Sequence, residues 1–338
     1  MSTPVDITRE FVAAHAARFD DALEIVKNEF KSLDADSQYT NAFARLLKWD
    51  PLERVAMLGT DQRELFIPVL KDLIRAQRRA AAARFTFFDI GCGDGQTFAL
   101  AAGEFPDGAT GVILDPNAYY VAQCETAVRA GGRLYVGRSI CAPFLAETAV
   151  DAPDGSGGFD LILAIHVLYY FDELRESLAR IYELLKPGGA AFIVFADEKT
   201  AYTGQALRAY HRGDAAFLAS FDKTCDLRRR LLLPGADGIV ELQRHLDERF
   251  PASRAHLRGE VQASRLYGHT LADILALSLI TGLDRVETPT KFDAVMELMR
   301  TRPEAIGLRI ERGRHPAREG MLSVGQSQIV VELRREAR

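Results

Sequence analysis

Cysteine is scarce in this 338-residue chain: Cys92, Cys124, Cys141 and Cys225 are the full set, with no C-x-x-C pair and no dense framework. A disulfide scaffold is therefore not indicated, no metal site is expected, and a reducing, cytoplasmic setting is the plain reading. Positive charge in excess is lacking too. The formal net charge is −5, without the basic surplus that a phosphate-tracking surface needs, so nucleic acid is not an expected partner. The short run Arg228-Arg229-Arg230 reads as a solvated helix face. No uncharged apolar run of about 18 residues occurs, and the first twenty residues carry Asp6, Arg9, Glu10, Arg18 and Asp20. Neither a membrane span nor a secretory leader fits that pattern. Internal repeats and low-complexity tracts are missing as well. Hydrophobic residues at 48% and charged residues at 26% are ordinary for a globular chain with a sizeable core.

The most informative stretch is Arg84 to Gln96, Arg-Phe-Thr-Phe-Phe-Asp-Ile-Gly-Cys-Gly-Asp-Gly-Gln. Phe85, Phe87, Phe88 and Ile90 form a continuous apolar run suited to a central parallel strand buried on both faces. Gly91, Gly93 and Gly95 then turn the chain into the apolar helix that begins near Thr97. Strand, glycine turn and helix let a backbone approach a nucleotide closely, because glycine accepts positive φ and has no Cβ to collide with it. The spacing argues against a dinucleotide. A G-x-G-x-x-G fingerprint counted from Gly91 and Gly93 needs a small residue at its end and meets Gln96.

Around this turn the chain reads in order as follows. An amphipathic helix is expected from about Thr8 to Lys31, a second from Tyr39 to Trp49 ended by Asp50-Pro51, and a third from the capping box Asp61-Gln-Arg-Glu64 to about Ala82. Pro68 is a possible kink within it. After the glycine turn, Ala109 to Asp115 forms a second strand ending in an acid about twenty residues on, the distance at which a carboxylate accepts ribose hydroxyls. Asp115 also reads as an N-cap for the helix Ala118 to Ala130. Arg133 to Phe144 supplies a third strand and loop. Asp151 to Gly158 is a surface linker. Phe159 to Ile165 is a fourth strand, with His166, Tyr169 and Tyr170 just beyond it. A helix from Asp172 to Leu185, the turn Lys186-Pro-Gly-Gly189 and a strand from Ala190 to Phe195 follow. The stretch from Asp197 to about Leu266 reads as a helical insertion. The core is expected to resume with a helix from Leu271 to Thr281, a short strand near Leu283 to Glu287, a helix from Phe292 to Met299 and a closing strand from Gln328 to Leu333.

Asp89-Ile-Gly91-Cys-Gly93-Asp-Gly95 resembles the D-x-G-x-G-x-G motif of class I S-adenosylmethionine-dependent methyltransferases. The acid after the second strand, the fourth strand and Lys-Pro-Gly-Gly extend that resemblance. It implies an α/β, Rossmann-like fold, with a central, mostly parallel seven-stranded sheet, helices on both faces and a helical cap. It also implies S-adenosylmethionine as cofactor, with Asp89, Gly91, Cys92, Gly93, Gly95, Asp115, Pro116, Tyr120, Ser139, Ile140, Ile165 and His166 around it. The parts would be an N-terminal cap (1–83), the binding core (84–196), a substrate lid (197–266) and the completion of the sheet (267–338). Val167 to Tyr170 and the tail Met321 to Glu332 are similar to histamine N-methyltransferase and its small-molecule relatives. Two departures stand out: Tyr120 replaces a glutamine on the helix after the second strand, and His166 replaces the substrate-facing glutamine.

A small-molecule amine or hydroxyl acceptor is therefore expected, with Tyr39, His166, Tyr169 and Tyr170 lining its pocket and His166 as the catalytic candidate. Methyl transfer from a sulfonium can be carried largely by positioning and desolvation. A neutral amine needs no base, whereas a hydroxyl usually does. His166 thus has three readings: base, hydrogen-bond partner of the acceptor, or packed residue touching cofactor through its backbone. The fourth strand lacks the Asn-Pro-Pro-Tyr type of sequence used on flipped adenine, and carboxylates for a Mg²⁺ site are missing from its end. A cofactor-binding but inactive partner subunit and a nicotinamide oxidoreductase are the alternatives from other classes.

Overall fold

A computed structural model of the protein describes residues 3–48, 57–80, 84–235, 238, 240–281, 287–313 and 315–337. The chain forms two compact units, each assembled from separated segments.

One unit comprises residues 66–195, 228–261 and 329–338. Its seven-stranded sheet consists of β1 (Thr86–Ile90), β2 (Ala109–Leu114), β3 (Leu134–Ile140), β4 (Phe159–Ile165), β5 (Leu185–Ala196), β6 (Ser253–Gln262) and β7 (Gln328–Ala337), in the order β3-β2-β1-β4-β5-β7-β6. Strands β1 to β5 are joined by parallel pairings, so their carboxyl ends share one edge, and the order reverses beside β1. That reversal is where parallel sheets open a ligand crevice. All five residues of β1 are buried, as a central strand covered on both sides requires. Phe87 packs on one face with Phe98, Phe105, Cys124, Phe192 and the helical residues Phe66 and Leu70. Phe88, its neighbour in the pleat, stacks on Phe159 at 5.3 Å and meets Phe144. At the opposite edge Asp160 ties three strands together, accepting from the Thr86 N–H at 2.7 Å and the Lys186 ammonium at 2.8 Å.

The other unit comprises residues 1–65, 196–227 and 262–328. Helices Ala16–Phe30, Tyr202–Tyr210, Leu271–Leu277 and Thr288–Thr301 close on a core that includes Phe19, Val26, Phe30, Ala206, Leu275, Phe292 and Met299. A four-stranded antiparallel sheet accompanies them, pairing Val5–Asp6 with Arg309–Ile310, that strand with Leu322–Gly325, and the last with Arg265–Gly268. Arg318, with 0% of its surface exposed, donates to the carbonyls of Met57, Leu58 and Thr60 and to both oxygens of Glu64, and lies 4.3 Å from the Tyr267 ring.

Several elements differ from the sequence reading. The first long helix is two, Arg9–Ala14 and Ala16–Phe30, interrupted at His15, whose Nδ1 engages the Phe11 carbonyl. The box at Asp61 is not formed, because Asp61 instead accepts from the Arg265 N–H and the Tyr267 hydroxyl while Glu64 is taken by Arg318. Pro68 lies within a continuous helix, Gln62–Ala80. The stretch expected to be wholly helical up to Leu266 includes β6, the sheet's edge strand. Its alternating burial from Ser253 to Arg258 is a period-two pattern lodged among charges. Lys186 to Gly189 is a bulge at the start of β5, since Phe159 faces Leu185 and Leu161 already faces Ala190. Helices Leu271–Leu277 and Thr288–Thr301 belong to the second unit, so of the expected sheet-completing region only the last strand joins the sheet. The helix end at Trp49-Asp50-Pro51, the end of the third helix at Ala82 and the strand at 283–286 lie outside the described residues.

Candidate functional site

The site begins where β1 runs out. Gly91, Gly93 and Gly95 all hold positive φ, at 69°, 52° and 77°, and each serves a different purpose. A Cβ on Gly91 would fall 2.1 Å from Val167 Cγ1, so this glycine lets the turn touch the loop after β4. A Cβ on Gly95 would fall 2.9 Å from the Cα of Cys124, so this one lets the helix Ala118–Ala130 press on the turn. Around Gly93 there is open space. The turn is held from below by the Leu114 carbonyl, which accepts from the N–H groups of Gly91 and Cys92.

Two carboxylates meet at this turn. Asp115 accepts from the Gly93 N–H at 3.2 Å and the Asn117 N–H at 2.9 Å, and its own N–H donates to Ile140. The N-cap of the following helix is Asn117, which accepts from Tyr119, so Asp115 is not spent on capping. Asp89 is 4% exposed. Burial, followed by the neighbouring Asp115 charge, pushes its carboxyl up to about 8. A buried acid without a compensating charge costs folding energy. The Cys92 thiol is pushed upward by its contact with Cys124, by burial and by both carboxylates, which disfavours its thiolate. Tyr120, half-buried, is raised by burial and by Asp94 and Asp115, which places it against the same acidic corner. Pro116 is exposed, and its carbonyl accepts the Cys141 thiol.

The neighbouring strands β3 and β4 end on the same edge of the sheet. Ser139 and Ile140 close β3; the Ser139 hydroxyl donates to Glu125 of the adjacent helix. Ile165 ends β4. His166 follows in the left-handed region at φ 57°, a conformation costing about 1–3 kcal/mol for a residue with a side chain. Its N–H donates to the Val194 carbonyl at 2.6 Å, and its Nδ1 lies 3.3 Å from the Tyr169 hydroxyl. Tyr169 and Tyr170 sit on the short turn Leu168–Tyr170, Tyr170 with 62% of its surface exposed. Tyr39 lies in the other unit, stacked on Phe43 within the helix Ala35–Leu46.

Three neighbours were not foreseen. The rings of Phe66 and His166 meet in an edge-to-face arrangement with centroids 6.5 Å apart, and Glu125 accepts from the Ser139 hydroxyl. Arg228 was expected in solvent; it is 8% exposed, with its guanidinium 5.4 Å from the centre of the Tyr169 ring. Helical phase within Arg228-Arg229-Arg230 was the signal, since Arg228 follows Cys225, itself buried, by three residues.

These residues fit S-adenosylmethionine on grounds internal to the chain. Asp89 is a buried carboxylate to which no described residue donates a side-chain hydrogen bond, Gly93 opens onto space, and Asp115 keeps lone pairs for a diol. Among the described residues no cluster of His, Cys, Asp or Glu is arranged to hold a metal ion, and no helix is long and apolar enough to cross a membrane.

A family described as a methyltransferase domain matches residues 88–191, the segment carrying the glycine turn, Asp115, β4 and His166. An O-methyltransferase, cnsE, of Penicillium expansum is 31% identical over 105 residues, which cover 31% of this chain and 36% of that protein; the match thus spans about a third of the relative's length. Among solved structures, the YcgJ protein from Bacillus subtilis aligns with 80% of this chain and 98% of its own at 10% identity and a TM-score of 0.45. The plantazolicin methyltransferase BpumL, solved with a desmethylPZN analogue and SAH, aligns with 95% and 97% at 12% identity and 0.43. The matched segment, residues 88–191, holds the glycine turn and, of the seven-stranded sheet, the end of β1 with strands β2, β3 and β4.

Proposed function

We propose that the protein transfers a methyl group from S-adenosylmethionine to a small-molecule acceptor, with oxygen favoured over nitrogen as the receiving atom. The observation that carries this reading is the buried, electrostatically uncompensated Asp89 beside Asp115 on a glycine turn open at Gly93. A cofactor bearing an amino group, a sulfonium and a ribose diol satisfies all three features. When bound, it supplies an activated methyl. The chain's own residues bind and orient: Asp89 meets positive charge, Asp115 accepts from the diol, Ser139 and Ile140 border the ring system, and Ile165 and His166 lie beside the reacting centre. The oxygen preference draws on the Penicillium expansum relative, named an O-methyltransferase. The cysteines, three of them buried and none in a disulfide among the described residues, accord with work in a reducing, cytoplasmic compartment.

Calorimetry with S-adenosylmethionine, S-adenosylhomocysteine and NAD tests the cofactor, and mass spectrometry after incubation with a panel of phenols, enols and amines tests transfer. Binding of both sulfur nucleotides, neglect of NAD and a gain of one methyl on an oxygen acceptor are expected. Preference for NAD refutes the reading. Tight cofactor binding with no transfer to any acceptor class favours the non-catalytic partner instead.

A further inference from the structure

A glycine with no room for a side chain and a histidine in the left-handed region stand on either side of one contact. Gly91 holds φ at 69°, and a Cβ built on it would fall 2.1 Å from Val167 Cγ1 and 3.2 Å from Val167 Cβ. The valine thus fills the place that a side chain at 91 would need. His166, just before that valine, is the only residue other than glycine with a positive φ among the described residues. Its N–H donates to the Val194 carbonyl at 2.6 Å, so the chain stays tied to β5 until the turn. The Val167 carbonyl accepts from the Tyr170 N–H at 3.0 Å, which closes the short turn Leu168–Tyr170. Gly91 is anchored as well, its N–H donating to the Leu114 carbonyl at 2.7 Å. Backbone strain persists only where the surroundings hold it, and it gathers at functional sites. All of these residues belong to one unit.

We infer that Val167 is a positioning residue: packed on Gly91, it fixes the glycine turn from the loop after β4, so that the turn and the segment 167–170 hold one geometry. The strain at His166 then has a purpose, because it bends the chain where the next side chain meets the turn. Valine suits the task. Its branched Cβ leaves χ1 stiff, so a methyl on it sets a distance that a flexible side chain would not. The turn is held at both ends in this way, at Gly91 by Val167 and at Gly95 by the backbone of Cys124, while the space around Gly93 stays open. Releasing one end lets the open middle shift, and a ligand lying against Gly93 loses part of its fit. What the turn binds is taken from the methyltransferase reading, on which the inference rests.

The test is calorimetric titration of S-adenosylmethionine into the full-length protein and its variants, each first shown by urea unfolding to be folded under the titration conditions. Val167→Ala, which removes both Cγ methyls, should bind about threefold or more weakly than the parent. Val167→Thr keeps the branching and should bind within about twofold of the parent. A residue that merely packs would lower the urea midpoint and leave the affinity of the folded protein unmoved. Gly91→Ala sets a Cβ against Val167 Cγ1 and should bind about tenfold more weakly. Adding Val167→Ala to it should recover about half of that loss on a logarithmic scale, since only the Val167 Cβ, at 3.2 Å, then remains close. Gly93→Ala bears a positive φ without that neighbour, and Val167→Ala should not rescue it. Parent affinity in Val167→Ala, a double variant no tighter than Gly91→Ala, or equal rescue of Gly93→Ala overturns the inference. If Gly91→Ala does not fold, Val167→Ala and Val167→Thr decide alone, and equal affinities in the two overturn it. The parent's own titration reports on the methyltransferase reading: a parent that does not bind refutes that reading and the positioning role with it, whereas a binding parent with indifferent variants overturns the positioning role only.

Discussion

Asp89 shows how a single residue can serve function at the expense of stability. Its carboxyl is buried beside Asp115 and raised to about 8, so ionising it in the folded protein without a cation is unfavourable. Asp89→Asn keeps the shape and removes the charge. The variant is expected to melt higher than the parent when both are free of ligand, and to bind S-adenosylmethionine at least tenfold more weakly; thermal unfolding and calorimetry on the same preparations check the two halves. A lower melting temperature would mean that Asp89 is structurally compensated. The acid was legible in the sequence because it stands at the end of an apolar strand and before three glycines. Arg228 was not, since a run of arginines declares its charge but not which member faces inward. His166 lies between: its place after the fourth strand was readable, whereas its positive φ and its pairing with Tyr169 depend on tertiary structure.

At the scale of elements, the glycine turn separates binding from packing. Gly95→Ala places a methyl against the backbone of Cys124 at a φ of 77°, so it should destabilise the unit by about 1–3 kcal/mol and shift the urea midpoint downward. Gly93→Ala meets no neighbour and suffers the φ strain alone, about 1–2 kcal/mol; its larger effect is expected on cofactor affinity, read by calorimetry. Equal affinity in Gly93→Ala and parent would show that the open space is not where the cofactor lies. Strands β1, β2, β4 and β5 were legible because central parallel strands carry apolar runs bounded by turns, and the helix Ala118–Ala130 fell at the expected bounds. Strand β6 escaped because its apolar positions alternate with Arg254, His256 and Arg258, which resembles a polar helix when periodicity is judged over a longer window. The Asp61 box failed for a related reason: local capping lost to partners more than two hundred residues away.

At the scale of the whole molecule, the interleaving of segments is what sequence could not supply. Val5 pairs with Ile310 and Arg318 with Glu64, contacts with no local signature. Arg318→Met would leave three carbonyls and Glu64 without their shared donor and should cost about 3–5 kcal/mol, measured by urea unfolding; a loss under 1 kcal/mol would mean the carbonyls find water. The stability of the whole chain should also carry the imprint of Asp89. Its folded-state carboxyl titrates near 8, against an ordinary 3.8 for the unfolded chain, so between those values the folded protein holds a proton that the unfolded one has released. Stability contributed by this group is present below about pH 4 and is lost as pH rises to about 8, with a slope of at most ~1.4 kcal/mol per pH unit. Acids lowered by hydrogen bonds and cations, Asp273 and Glu311 among them, act in the opposite sense: they add stability above their ordinary values and lose it on acidification, outside most of this window. Urea unfolding of the ligand-free protein from pH 5 to pH 8 should therefore show a decline that is absent in Asp89→Asn. Saturating S-adenosylmethionine should flatten it in the parent, because a bound cation removes the reason for the raised carboxyl and binding then displaces the proton. A decline that persists unchanged in Asp89→Asn assigns the pH dependence to other groups and withdraws Asp89 as the seat of the cofactor's positive charge.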